Sequence, residues 1–120
     1  MLEHNEIYRA IGELAYVIAK AGDGTQLDEK KAFYDIIEAE LKFNAWSAES
    51  RFEILDEKVH PSLEHAYNDA IHEFKIHKSV LTPELKDITL RVVKKVAAAY
   101  HPSEVKDFII DRLERDLKNI

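Results

Sequence analysis

Few residues of this 120-residue chain have the types and spacing for chemistry, and the densest group sits in "AKAGDGTQLDEKKAF", residues 19–33. Asp23, Asp28 and Glu29 place three carboxylates within seven residues at the start of a predicted helix. Oxygen donors of this kind suit a hard divalent cation, Mg²⁺, Ca²⁺ or Mn²⁺, as the ligand of a metal sensor or a metal-dependent enzyme. An EF-hand frame fails: with Asp23-Gly24 at its fifth and sixth positions, Ala19, Ala21 and Lys30 occupy the first, third and twelfth. The same residues also have a structural reading. Gly22 or Gly24 ends one helix with a positive φ, and Asp28 and Glu29 meet the positive N-terminus of the next.

The other candidates are weaker. In "HEFKIH", His72 and His77 are five apart, so on a helix they diverge by about 140° and miss the i, i+4 geometry of a zinc HExxH. Glu57-x-x-His60 matches one element of carboxylate-bridged di-iron bundles and Asp69-x-x-His72 echoes it, but His60 precedes a helix-breaking proline. Ser47, Ser50, Ser62, Ser79 and Ser103 fall mostly where helices start or end, as caps, and none stands in a nucleophile elbow. Gly22 and Gly24 lack the following Lys-Ser/Thr of a phosphate loop. Cysteine is absent, which removes disulfides, thiolate metal sites and thiol catalysis together. These residues point to no enzymatic activity.

The elements that must position these residues are helices. Three Gly, three Pro and long runs of Ala, Glu, Lys and Leu favour an all-α fold in one domain spanning residues 1–120. Ile7, Ile11, Leu14 and Ile18 form a helical stripe ending near Ala21-Gly22, and Phe33, Ile36, Ile37 and Leu41 form a second. A third helix is read from Trp46 or Ser47 to about Lys58, with Ala48, Phe52 and Leu55 inward, stopped at His60-Pro61. Ser62 caps a fourth, bearing Leu63, Ala66, Tyr67, Ala70, Ile71 and Phe74. Thr82 and Pro83 open a fifth with Leu85, Ile88, Val92, Val96 and Ala99 inward; its broad apolar face places it near the centre. The last starts at Pro102 or Ser103, with Val105, Phe108, Ile109, Leu113 and Leu117 packed.

Two stretches read alike, "YVIAKAGDGTQLDEKKAFYDII" and "KKVAAAYHPSEVKDFIID": an Ala-rich helix end, a polar break, then E-x-K-x-F. Glu29 to Phe33 corresponds to Glu104 to Phe108, which predicts two helix-turn-helix units about a pseudo-twofold axis. The first stretch resembles the signature of the tellurite-resistance TerB-like family, and "LTPELKDITLRVVKKVAAAYHPSEVKDF" resembles its second copy. The resemblance implies a bundle of six to seven helices, shared with the N-terminal part of a membrane-anchored J-domain co-chaperone. It also implies a cytoplasmic stress-response module with acidic surfaces, binding divalent metal or partner proteins and having no enzymatic activity. Anchored on Lys31-Ala32-Phe33, the Asp-Gly of the signature falls on Gly22-Asp23, reversed; anchored on Asp23-Gly24, the loop is one residue short; and the second copy has Tyr100-His101-Pro102 in place of an acidic loop.

The formal charge of −6 repels a phosphate backbone, and the last helix alternates Glu104, Asp107, Asp111, Glu114 and Asp116 with few bases, so nucleic acid is not expected. The N-terminal segment lacks the pattern of a signal peptide and no window approaches ~18 apolar residues, so membrane insertion is not expected and the cytoplasm is the default location. Protein partners, or a second copy of the chain, remain. Trp46, Phe43, Tyr34 and Tyr67 are read as core or interface aromatics, and the apolar corner Phe43-Asn44-Ala45-Trp46 is the candidate contact if Trp46 is exposed.

Overall fold

Ten consecutive residues of the first helix, 10–19, are buried, so this helix has no solvent face over almost three turns and must lie inside the bundle. In the computed structural model the chain is described over residues 2–21, 27–99 and 103–120, with side chains described over 4–21, 30–99 and 103–120. The first helix, α1 (Leu2–Lys20), is followed by α2 (Leu27–Leu41) and, after a short 3₁₀ turn, by α3 (Ala45–Ile54). Then come α4 (Leu63–Ile76), α5 (Pro83–Ala98) and α6 (Glu104–Lys118). No strand occurs among the described residues, and the fold is all-α.

α1 packs against α3, α4 and α5, so the centre expected of α5 belongs to α1. Ile7, Ile11, Leu14 and Ile18 are buried as their spacing predicts, and the remaining Ala and Val of the helix fill its other sides. Between α2 and α3 the aromatic core is layered. Phe33 stacks on Phe52 with centroids 4.0 Å apart, and Tyr16 meets Phe52 edge-on at 6.0 Å.

The helix ends follow from local chemistry. The Ser62, Thr82 and Ser103 side chains accept hydrogen bonds from the backbone N–H groups of His65, Leu85 and Lys106, each capping a helix start. α3 does not continue as α-helix to Lys58. It widens into a π turn over Leu55–Val59, which His60 closes in the left-handed region (φ 50°), donating its N–H to the Leu55 carbonyl. Lys42 ends α2 the same way, at φ 53°, where glycine is the less strained residue.

Three inward positions are corrected. Ala99 lies past the last residue of α5 and is exposed. On α6, Val105 and Phe108 point to solvent, Phe108 with 62% of its surface exposed, while Lys106, Leu113 and Leu117 face in. Phe108 is nine residues from Leu117, about 180° around the helix, so the two cannot share one packed face. Phe33, the residue that Phe108 matches in the sequence pairing, is fully buried.

Candidate functional site

Two groups of side chains stand out, and neither contains the acidic loop. Asp23 lies outside the described residues, as do the side chains of Asp28 and Glu29 in the first turn of α2. Among the described residues no three His, Asp or Glu are grouped to hold a metal ion. Glu57, His60 and His72 are exposed, and His77 Nε2 lies 3.5 Å from Glu73 Oε2.

The first group is a polar cleft of about 210 Å³ where α1, α3 and α4 meet. Glu13 projects into it from the buried helix and is only 3% exposed. Arg51 of α3 sits between two carboxylates, its Nε 3.5 Å from Glu13 Oε1 and its NH2 nitrogen 3.4 Å from Asp69 Oδ2 on α4. Burial pushes the Glu13 carboxyl up to about 8, against the opposing pull of Arg51, and a hydrogen bond with Asp69 favours the protonated form further. Near neutral pH the Glu13 carboxyl therefore keeps its proton. Glu6, Arg9 and Glu73 complete the wall. Through Arg51 the cleft joins α1 and α4 to α3. The legible signal for it was an acid inside "AIGELAYVIA", a run apolar on every side.

The second group is the α2–α3 corner. Lys42's left-handed turn swings the chain out of α2, leaving Phe43 97% exposed and Trp46, one residue into α3, 67% exposed. Tyr67, by contrast, is buried, and Tyr34 is half-buried. Alongside the corner runs a groove of about 460 Å³ lined by Tyr34 and Glu38 of α2 and by Trp46, Glu49, Ser50 and Glu53 of α3. The i, i+4 spacing on α2 and the 46, 49, 50, 53 spacing on α3 set the two rows facing each other. The Tyr34 hydroxyl donates to Glu53 Oε1 across the groove. Burial, then that hydrogen bond and the charge of Glu53, raise the Tyr34 phenol well above its ordinary range. Glu49 is raised as well, by burial first and then by Glu38 and Glu53.

Several bases of α5 and α6 are engaged within the bundle. Arg91 and Lys95 of α5 hold Glu40 of α2 at 3.1 and 2.6 Å, and Lys94 holds Glu114 at 3.0 Å. Arg112 grips Glu64 through two hydrogen bonds of 3.0 and 3.2 Å and lies 4.2 Å from the Tyr67 ring centroid, while Tyr67 donates to Asp116 at 2.6 Å. These contacts attach α6 to α4. No described helix is long and apolar enough to cross a membrane. In comparisons with known proteins, no family model, no curated protein and no solved structure matches this chain.

Proposed function

We propose that this chain is a non-enzymatic binding module, of the regulatory, cytoplasmic kind that the TerB-like resemblance implies, and that it docks a partner protein on the α2–α3 corner. The observation that carries the reading is the exposure of Phe43 and Trp46, 97% and 67%, on a bundle whose other large aromatics mostly fill the core. Aromatic residues of this size anchor interfaces because they bury much apolar area with little loss of side-chain freedom. The two-repeat organisation belongs to the same proposal. It is supported by the Ala-rich helix ends, polar breaks and E-x-K-x-F starts that α1–α2 and α5–α6 share in sequence.

Co-purification from native cells tests the docking surface. A partner held by the wild-type chain and lost by the Phe43→Ala, Trp46→Ala double variant is expected; a partner held equally by both overturns the assignment. Sedimentation at several concentrations tells whether that partner is a second copy. The rival is a divalent-cation sensor at Asp23, Asp28 and Glu29. Calorimetric titration with Mg²⁺, Ca²⁺, Mn²⁺ and Zn²⁺ tests it: a site abolished by Asp23→Ala favours the rival, and no heat at millimolar metal removes it.

A further inference from the structure

The groove beside Trp46 is lined by aromatic and acidic side chains. Two aromatic side chains, Tyr34 and Trp46, stand with three carboxylates, Glu38, Glu49 and Glu53, and no base is among the lining residues. By contrast, Glu40, Asp56, Glu64 and Glu114 each contact a Lys or an Arg. Here the acids meet one another. Glu49 Oε2 is buried without a hydrogen-bond partner, an arrangement that costs free energy unless a donor arrives from outside. Burial first, and then the neighbouring Glu38 and Glu53, push the Glu49 carboxyl above its ordinary range.

We propose that this groove is the seat of an arginine side chain presented by a basic segment of the partner protein, with the guanidinium over Trp46 and its N–H groups donated to Glu49 and Glu53. The inference rests on the docking surface proposed above and names its chemistry. A guanidinium satisfies each feature at once. Its flat face stacks on an exposed indole, its forked donors match carboxylates, and its charge relieves the repulsion among three glutamates. The Tyr34 hydroxyl, bonded to Glu53, fixes that carboxylate in place before the ligand arrives. A cavity of about 460 Å³ admits one such side chain with neighbouring backbone. The exposed Phe43 beyond it offers an apolar contact for the next residue of the segment.

Trp46 is the chain's only tryptophan, so its emission reports occupancy directly. The full chain is titrated with a short peptide alternating arginine and glycine, and with the same peptide carrying citrulline, which keeps the shape and removes the charge. The arginine peptide is expected to change Trp46 emission saturably. The citrulline peptide is expected to bind at least about tenfold more weakly, and so is the arginine peptide to the Glu38→Gln, Glu49→Gln, Glu53→Gln variant. Circular dichroism checks that the variant is folded, and Glu64→Gln, on another face, is expected to bind as wild type does. Equal affinity for both peptides, equal affinity of the triple variant, or no response at millimolar peptide overturns the arginine assignment. If the triple variant still holds a partner that the Phe43/Trp46 double variant loses, the docking surface stands and only its basic occupant is refuted.

Discussion

Gly12 of α1 and Ala48 of α3 touch backbone to backbone: a Cβ on Gly12 would lie 2.2 Å from the Ala48 carbonyl oxygen. The close approach lets α1 sink into the bundle, and it has no slack, because the obstructing atoms are main chain. Gly12→Ala gains about 1 kcal/mol in helix propensity but forces the two helices apart. The expected net result is a loss of about 2 kcal/mol in denaturant unfolding. Unchanged stability would show that α1 and α3 can separate without penalty.

The Glu13 cleft gives stability a dependence on pH with a definite sign. Its carboxyl is raised from an ordinary 4.5 to about 8 in the folded chain, so between those values the folded state keeps a proton that the unfolded state releases. Its stabilising effect is complete below about pH 4.5 and declines as pH rises through 8, by at most about 1.4 kcal/mol per pH unit. Asp56 and Glu40, held low, act oppositely and lose their contribution as pH falls below their ordinary carboxylate range. Unfolding measured across pH 5 to 9 should therefore show a decline that Glu13→Gln flattens. A decline of the same slope in the variant would assign it to other groups.

Asp56, in the π turn after α3, joins two helices by one carboxylate: Lys20 Nζ of α1 lies 2.8 Å from Oδ1 and Lys30 Nζ of α2 lies 2.7 Å from Oδ2. The carboxylate is shielded while both lysines keep partial access to water, so solvent screening reduces its worth. Asp56→Asn is expected to cost about 1–2 kcal/mol. Hydrogen exchange should speed up at the C-terminus of α1 and the N-terminus of α2. Faster exchange confined to α3 would mean that the carboxylate serves its own turn alone.

Phe43 and Trp46, exposed as they are, should contribute little to folding: alanine at either position is expected to change stability by less than about 0.5 kcal/mol. Native Trp46 emission should already resemble that of a hydrated indole and shift little on unfolding, while circular dichroism follows the full transition. A blue-shifted native emission would place the indole in the core and remove the docking surface.

Helical periodicity made most of the fold legible. The stripes of α1 and α4 and the caps Ser62, Thr82 and Ser103 followed from spacing and from hydroxyl chemistry at helix starts. On α6 the packed face is narrower than the apolar residues suggest. Val105 and Phe108 are apolar, but their angular distance from Leu117 sets them on the outer side. The site was less legible. Phe43 and Trp46 were visible as an apolar corner, but only the left-handed Lys42 determines that the corner faces outward. Glu13 stands out as a single acid among apolar residues, but the sequence does not reveal which neighbours enclose it.

By itself the sequence determined that the chain is helical, where most helices start, and that thiol chemistry is absent, since these depend on residues near in the chain or on composition alone. Tertiary structure decided that α1 is central, that Glu13, Arg51 and Asp69 meet, and that Tyr34 and Trp46 share a groove with three glutamates. The reason is physical. A helix's inward face follows from a period of about 3.6 residues, whereas the partner of that face depends on how close two backbones can come. In this chain that distance is set by a glycine, Gly12, lying against the Ala48 carbonyl.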